Sequence, residues 1–284
     1  MKDIIKKYTL GLYEKAVPAG LELGQKLEFI ARCGFDFMEL SIDESAEKQE
    51  RLTWSRRKRA ELAKLSRSIL PVTSICFSMQ RSYPFGSSDP AVRRRAVEAM
   101  DQAIGFAYDT GIRIIQLAGY DVYYEPSTPE TRRFFLENLT LAAQRASSYG
   151  VILGLETMEN DFMNTVKKAM KYVKAVNSPY LGVYPDVGNI SNALPDASAV
   201  TEDILSGRGH IFSAHLKETR PGVYRNLMFG EGQVDFVSAL NAFKAAGVSR
   251  FNAEFWYGGG DPAAELEAAR SFLKEKLDAV FAEK

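Results

Sequence analysis

The fold this sequence predicts is α/β, a (β/α)8 (TIM) barrel forming one domain over residues 1–284, and three observations carry the prediction. First, eight short apolar segments rich in β-branched residues alternate with longer amphipathic ones. Second, most of the short segments have no polar alternate face. Ile112-Arg113-Ile114-Ile115-Gln116-Leu117 and Val151-Ile152-Leu153-Gly154-Leu155 are examples, and such runs suit strands buried on both sides, as in a parallel sheet. Third, no composition break or Pro/Ser-rich linker interrupts the βα units, which favours a closed barrel. An open doubly wound sheet would carry a Gly-rich phosphate loop after its first strand, and Tyr13-Glu14-Lys15-Ala16 offers no GxGxxG.

In chain order the expected strands are Thr9–Tyr13, Phe37–Ile42, Val72–Phe77, Ile112–Leu117, Val151–Glu156, Leu181–Tyr184, Phe212–Lys217 and Phe251–Phe255. The clearest helical patterns are Ser55–Ile69, Pro90–Tyr108, Pro129–Tyr149, Asn164–Val176, Asp235–Ala246 and Pro262–Phe281. Asp89-Pro90 opens the second of these, with Asp as N-cap and Pro at the first helical position, and Gly111 stops it. Ala99, Ala103 and Ala107 recur every fourth residue and give that helix a slim face for close approach to the sheet. Gly34, Gly111, Gly150 and Gly247 each stand between a helix and the next strand, where a C-terminal cap glycine belongs.

The 284 residues, 46% hydrophobic, suffice for one large core. Thirty-six basic and 36 acidic residues cancel, so the basic excess that marks a nucleic-acid partner is absent. Met1-Lys2-Asp3-Ile4-Ile5-Lys6-Lys7 lacks the apolar run and cleavage site of a signal peptide. No apolar run of about 18 residues exists to span a membrane. Cys33 and Cys76 have no CxxC spacing and read as reduced core residues. The expectation is a cytoplasmic protein without membrane or nucleic-acid partners.

In such a barrel the active site lies at the carboxyl ends of the strands. Strand five ends Leu153-Gly154-Leu155-Glu156, strand six Val183-Tyr184-Pro185-Asp186, strand seven Ala214-His215-Leu216-Lys217 and strand eight Asn252-Ala253-Glu254-Phe255. A lone strand-end carboxylate is ordinarily a solvated rim group or a salt-bridge partner. Four adjacent strand ends showing the pattern together are another matter, because charge beside apolar runs is costly unless paired or ligated. Two Glu, one Asp and one His suit a single divalent ion: Mn²⁺, Zn²⁺ or Co²⁺, with Mg²⁺ an option. Of the two histidines, His215 lies within the apolar strand and is the better ligand; His210, after Gly209, reads as structural.

Glu156 in Gly154-Leu155-Glu156-Thr157-Met158, Asp186 in Tyr184-Pro185-Asp186-Val187-Gly188-Asn189, His215 in His215-Leu216-Lys217-Glu218-Thr219-Arg220-Pro221-Gly222, and Glu254 in Asn252-Ala253-Glu254-Phe255-Trp256 resemble the metal-binding strands of the xylose-isomerase-like barrels. Within that superfamily the chain is most similar to the L-ribulose-5-phosphate (L-xylulose-5-phosphate) 3-epimerase family of bacterial L-ascorbate-type catabolism. Leu10-Gly11-Leu12-Tyr13-Glu14-Lys15-Ala16, Gly34-Phe35-Asp36-Phe37-Met38-Glu39-Leu40-Ser41, the stretch Ile115–Tyr124 and Phe229-Gly230-Glu231-Gly232 share the likeness. It runs from about Leu10 to the last helix, and its specificity lies in the ordered set rather than in any one tripeptide. The resemblance implies one metal on Glu156, Asp186, His215 and Glu254, with Glu156 and Glu254 doubling as the acid–base pair. It also implies a phosphorylated ketose substrate and a homodimer. The chemistry agrees, since inverting C3 of a 2-ketose requires a base on one face and an acid on the other.

Candidate substrate contacts are Lys217 and Arg220, for oxyanion or phosphate; Asn189, where some sugar epimerases carry histidine; and Arg81, as a remote phosphate anchor. Glu159 and Asp161 are candidates for a substrate hydroxyl, and Gly230-Glu231-Gly232 for phosphate through its amides. Tyr120, Tyr123 and Tyr124 read as packing beneath a loop, and the run Arg56-Arg57-Lys58-Arg59 as a solvated helix face. The same site also admits an aldose–ketose isomerase working at C1 and C2, or a sugar-phosphate-binding barrel without catalysis.

Overall fold

The computed structural model describes residues 7–282, so residues 1–6, read above for a targeting signal, and the two C-terminal residues lie outside the described residues. The strands are β1 (Thr9–Tyr13), β2 (Phe37–Ile42), β3 (Val72–Phe77), β4 (Ile114–Ala118), β5 (Ile152–Glu156), β6 (Leu181–Tyr184), β7 (Ala214–Leu216) and β8 (Arg250–Ala253). They form one parallel sheet in the order β6-β5-β4-β3-β2-β1-β8-β7. Its two ends meet through single parallel bridges, Val183 to Ile211 and Asp186 to His215, which close the barrel. The Val183 N–H donates to the His210 carbonyl at 2.8 Å, and the His215 N–H to the Pro185 carbonyl at 2.8 Å.

That seam explains why β7 is shorter than the expected Phe212–Lys217. A Cβ at Gly182 in β6 would lie 2.3 Å from the His210 carbonyl oxygen and 2.4 Å from the Phe212 ring. Phe212 therefore turns in over the glycine instead of extending the ladder. We expect Gly182→Ala to destabilise the protein by about 1–3 kcal/mol, as overpacking does, read as a lower midpoint in denaturant unfolding.

Ten helices clothe the described barrel: α1 (Leu23–Arg32), α2 (Ala46–Glu50), α3 (Arg56–Ser68), α4 (Pro90–Thr110), α5 (Pro129–Tyr149), α6 (Val166–Val176), α7 (Val187–Ala193), α8 (Ala197–Leu205), α9 (Phe236–Ala245) and α10 (Pro262–Phe281). The alanine face of α4 packs as expected, with Ala99, Ala103 and Ala107 no more than 1% exposed. Asp89 accepts from the Ala91 N–H at the head of α4, and Gly111 ends the helix with φ of 82°. Asn177, with φ of 50°, closes α6 in the way the glycines close their helices. Helices α1, α2, α7 and α8 were not among the sequence expectations. The N-cap of α1 is Glu22, paired reciprocally with Gln25, an unusual residue for that position. The N-cap of α7 is Asp186, so one residue serves both helix and site. Among the described residues no helix is long and apolar enough to cross a membrane.

Candidate active site

Strands β5 to β8 bring their four terminal residues to one place. Glu156 ends β5, Asp186 follows β6 after Pro185, His215 is central in β7 and Glu254 follows β8. Ligand-capable atoms of all four lie within 4.8 Å of one another, and all four side chains are buried. The backbone sets these positions. Asp186 Oδ1 caps α7 by accepting the Asn189 N–H at 3.0 Å, which turns Oδ2 toward the cluster. Beneath Glu156, Gln116 Oε1 accepts the Phe77 N–H at 3.1 Å. That fixes the amide so that its Nε2 donates to Glu156 Oε2.

His215 is oriented by Glu39, which lies on β2 and was not among the sequence candidates. Its Nε2 contacts Glu39 Oε1 at 2.6 Å, while Nδ1 faces Glu156 Oε1 at 2.7 Å and Glu254 Oε2 at 2.9 Å. Glu39 also accepts from Ser74 Oγ at 2.8 Å, Tyr184 OH at 2.8 Å and Asn252 Nδ2 at 2.9 Å. Four donors saturate this carboxylate, so it holds the ring and leaves Nδ1 as the ligand-capable nitrogen. The signal for Glu39 was present: an acid inside the apolar run Phe37–Ile42 carries the same desolvation cost as the strand-end acids.

Electrostatics set the carboxyls apart. Burial raises the Glu156 carboxyl against the pull of His215. Burial likewise pushes Asp186 up to about 7, outweighing Lys217. Burial would also raise Glu254, but Lys217 and His215 overcome it and hold that carboxyl below the ordinary carboxylate range. For His215 burial works downward, and Glu39, Glu254 and Glu156 prevail to push the imidazole well up. Asp186 Oδ2 and Glu254 Oε2 are buried without a hydrogen bond among the described residues. Their nearest cations, Lys217 Nζ at 2.6 Å and His215 Nδ1 at 2.9 Å, make ionic contacts outside hydrogen-bonding geometry. Three carboxylates and one imidazole nitrogen, with two orphaned oxygens, fit a divalent cation.

A narrow cleft of about 50 Å³ opens over this cluster, and Glu156, Glu254, Lys217, Asn189, Arg81 and Glu159 line it together with Tyr13, Lys15 and Trp256. A larger cavity of about 490 Å³, walled by Tyr8, Gly34, Arg270 and Phe281, lies at the opposite, amino-terminal end of the strands, away from this chemistry. Lys217 Nζ donates to Asn189 Oδ1 at 2.8 Å. Arg81 lies 5.8 and 5.4 Å from the ring centroids of Tyr120 and Tyr123. Tyr120 OH donates to Glu159 at 2.5 Å.

Other candidates fall outside the cleft. Arg220 is exposed where the chain turns back at Val223, and its Nε donates to the Glu231 carbonyl at 2.7 Å, which places it outside the lining of the cleft. Asp161 is exposed beside Asn164. The Gly230 and Val234 amides donate to Glu218 at 2.9 and 3.1 Å, which commits that turn to an internal carboxylate instead of phosphate. His210 works through its backbone in the β6–β7 seam.

A (β/α)8 barrel with a buried Glu-Asp-His-Glu centre defines the class, and the family described as "Xylose isomerase-like TIM barrel" matches residues 27–276: the chain belongs to it. L-ribulose-5-phosphate 3-epimerase UlaE of Escherichia coli O157:H7 is 42% identical over 275 residues, covering 96% of this chain and 96% of the relative. The enzyme of the same name from Shigella boydii serotype 18 matches to the same extent, 42% over 275 residues. The protein is accordingly an isomerase whose relatives are named as carbohydrate 3-epimerases. Among solved structures, L-ribulose 3-epimerase superposes with a TM-score of 0.78 at 20% identity, covering 96% of this chain and 95% of that one. IOLI protein with a binding zinc atom gives 0.80 at 17% identity, covering 97% and 100%.

Proposed function

We propose that the chain is a divalent-metal-dependent 3-epimerase interconverting L-ribulose 5-phosphate and L-xylulose 5-phosphate in L-ascorbate-type sugar catabolism. One observation carries the reading: Glu156 and Glu254 reach the same cleft from β5 and β8, with β6 and β7 between them, and both converge on His215 Nδ1. The names of the 42%-identical relatives supply the substrate. Free Cys33 and Cys76 fit the reducing cytoplasm.

A divalent ion on Glu156, Asp186, His215 and Glu254, with Zn²⁺ or Mn²⁺ favoured by the donor set and zinc named for one structural neighbour, supplies Lewis acidity toward the ketose oxygens. The glutamates do the proton work. One removes the C3 proton, the C–H electron pair becomes the C2–C3 double bond, and the carbonyl pair moves onto O2. The other returns a proton to the opposite face of C3, and the roles exchange with direction. Gln116 and Glu39 keep Glu156 and His215 from rotating away.

Proton NMR of L-xylulose 5-phosphate in D₂O with the metal-loaded protein tests this reading. Deuterium at C3 together with L-ribulose 5-phosphate is expected; exchange at C1 instead would establish an aldose–ketose isomerase. His215→Ala is expected to lower bound metal at least about tenfold by elemental analysis, given what loss of even an outer partner costs. Unchanged stoichiometry would remove His215 from the ligand set.

A further inference from the structure

We infer that Lys217 is a further catalytic residue, whose ammonium donates a hydrogen bond to the substrate's O2 as negative charge develops there, and that Asn189 is the positioning residue that aims it. The inference rests on the 3-epimerase reading above and adds a group to it.

Lys217 follows β7 and is 6% exposed, yet it lines the cleft beside Glu156 and Glu254. A buried ammonium costs several kcal/mol in lost hydration, so its contacts must return that energy. Among the described residues it makes one hydrogen bond, to Asn189 Oδ1 at 2.8 Å. The approach to Asp186 Oδ2 at 2.6 Å is ionic, and that oxygen has no hydrogen bond among them. An ammonium carries three donors, so at least one is left for the cleft.

Asn189 cannot turn away from this task. Its Nδ2 donates to the Thr157 carbonyl at 2.7 Å, which leaves Oδ1 as the only amide atom facing Lys217, and its backbone N–H is held by Asp186 Oδ1 at 3.0 Å. The amide is therefore a fixed acceptor, and the ammonium it holds is fixed in turn.

Charge accounting gives the site a use for this cation. Glu39 is saturated by its four donors. Glu156, Asp186 and Glu254 then face one divalent ion, with Glu39 a fourth carboxylate behind His215, so the centre stays net negative and Lys217 offsets part of that charge. When a glutamate takes the C3 proton, its charge passes through the new C2–C3 double bond to O2. Lys217 meets that oxygen without giving up its own proton, and reprotonation of C3 by the opposite glutamate reverses the shift. A preplaced cation of this kind strengthens as the reaction proceeds, which raises kcat more than it lowers KM.

The test compares the metal-loaded native protein with Lys217→Met, reading kcat and KM on L-ribulose 5-phosphate, metal content, and calorimetric binding of N-glycolyl-N-hydroxy-2-aminoethyl phosphate. The hydroxamate of that probe carries the two cis oxygens of a 2,3-enediolate. For Lys217→Met we expect kcat to fall about 100-fold with KM and metal content nearly unchanged, and the probe to bind weaker by about the same factor. Asn189→Leu, which keeps the ammonium but frees it, should show the same split at about tenfold. It decides the matter by the same criteria if Lys217→Met fails to fold. Equal binding of the probe by native and variant proteins, or a kcat loss that added metal restores, would overturn the inference. If the native protein leaves L-ribulose 5-phosphate unchanged while the probe still prefers it over the variant, the 3-epimerase reading falls and Lys217 stands as the partner of the anionic oxygen.

Discussion

Glu254→Gln, and separately Glu156→Gln, should each cut epimerisation by about 10²–10⁴-fold, the range of a lost general acid or base, with the fold intact. The amide keeps the volume of the carboxylate and loses the ability to hold the C3 proton. Folding should survive because these carboxylates crowd one another: Glu156, Asp186 and Glu254 are all buried, with ligand-capable oxygens within 4.8 Å of one another. Removing one negative charge from that set relieves desolvation and repulsion. The check is C3 deuterium exchange by NMR beside denaturant unfolding of the same samples. Retained exchange in either variant would take that glutamate out of the proton-transfer pair. Lost exchange with lost folding would assign it a structural duty instead.

Glu14→Gln is expected to cost about 3–5 kcal/mol of stability, the penalty for breaking a buried ion cluster by removing one partner. Glu14 is 1% exposed and accepts from Arg51 Nη1 and Nη2 at 2.5 and 2.7 Å, Lys48 Nζ at 2.9 Å, Lys26 Nζ at 3.0 Å and the Ser41 N–H at 2.9 Å. It clamps the end of β1 to β2, α1, α2 and the turn after α2, so the variant strands buried Arg51 and Lys26 and leaves Lys48 to the exposed Glu47 at 3.1 Å. Burial alone would raise this carboxyl, but Arg51, Lys26 and Lys48 outweigh it and hold it well below the ordinary range. Its stabilisation is therefore present in full above the unfolded value of about 4.3 and fades as pH falls below it. Urea unfolding near pH 7 and again in acid should show the native-minus-variant gap narrowing in acid. A gap under about 1 kcal/mol at neutral pH would mean that the three cations reach water once Glu14 is gone. Adding Lys26→Met to the variant should recover part of the loss, since it removes one stranded charge.

Much of the barrel was legible because its signals are local. Strands such as Ile152–Glu156 declare themselves by apolar runs, and α4 and α5 open on Asp89-Pro90 and Thr128-Pro129 with glycines at their ends. The cluster Glu156, Asp186, His215 and Glu254 was legible once strand ends were identified, because the fold fixes which end of each strand meets the others. Residues that act through a partner were less visible. Glu39 and Gln116 announce only that a polar group lies in an apolar run; that they face His215 and Glu156 depends on pairings across 176 and 40 residues of sequence. Arg220 and the Gly230–Gly232 turn point the other way: chemically apt neighbours of the site that the path of one loop turns outward or commits to Glu218.

Apolar periodicity and cap chemistry in the sequence alone determined the eight βα units, and the position of four ligand-capable residues at successive strand ends determined the kind of site. Tertiary structure decided which side chains are oriented and which are merely near: Nδ1 of His215 toward the carboxylates because Glu39 holds Nε2, Asn189 Oδ1 toward Lys217 because Thr157 holds Nδ2, and Asp186 Oδ2 toward the centre because α7 holds Oδ1. The reason is physical. Periodicity and capping act over a few residues and are written in the chain, whereas buried hydrogen bonds are assigned only when distant segments close around groups that can no longer turn to water.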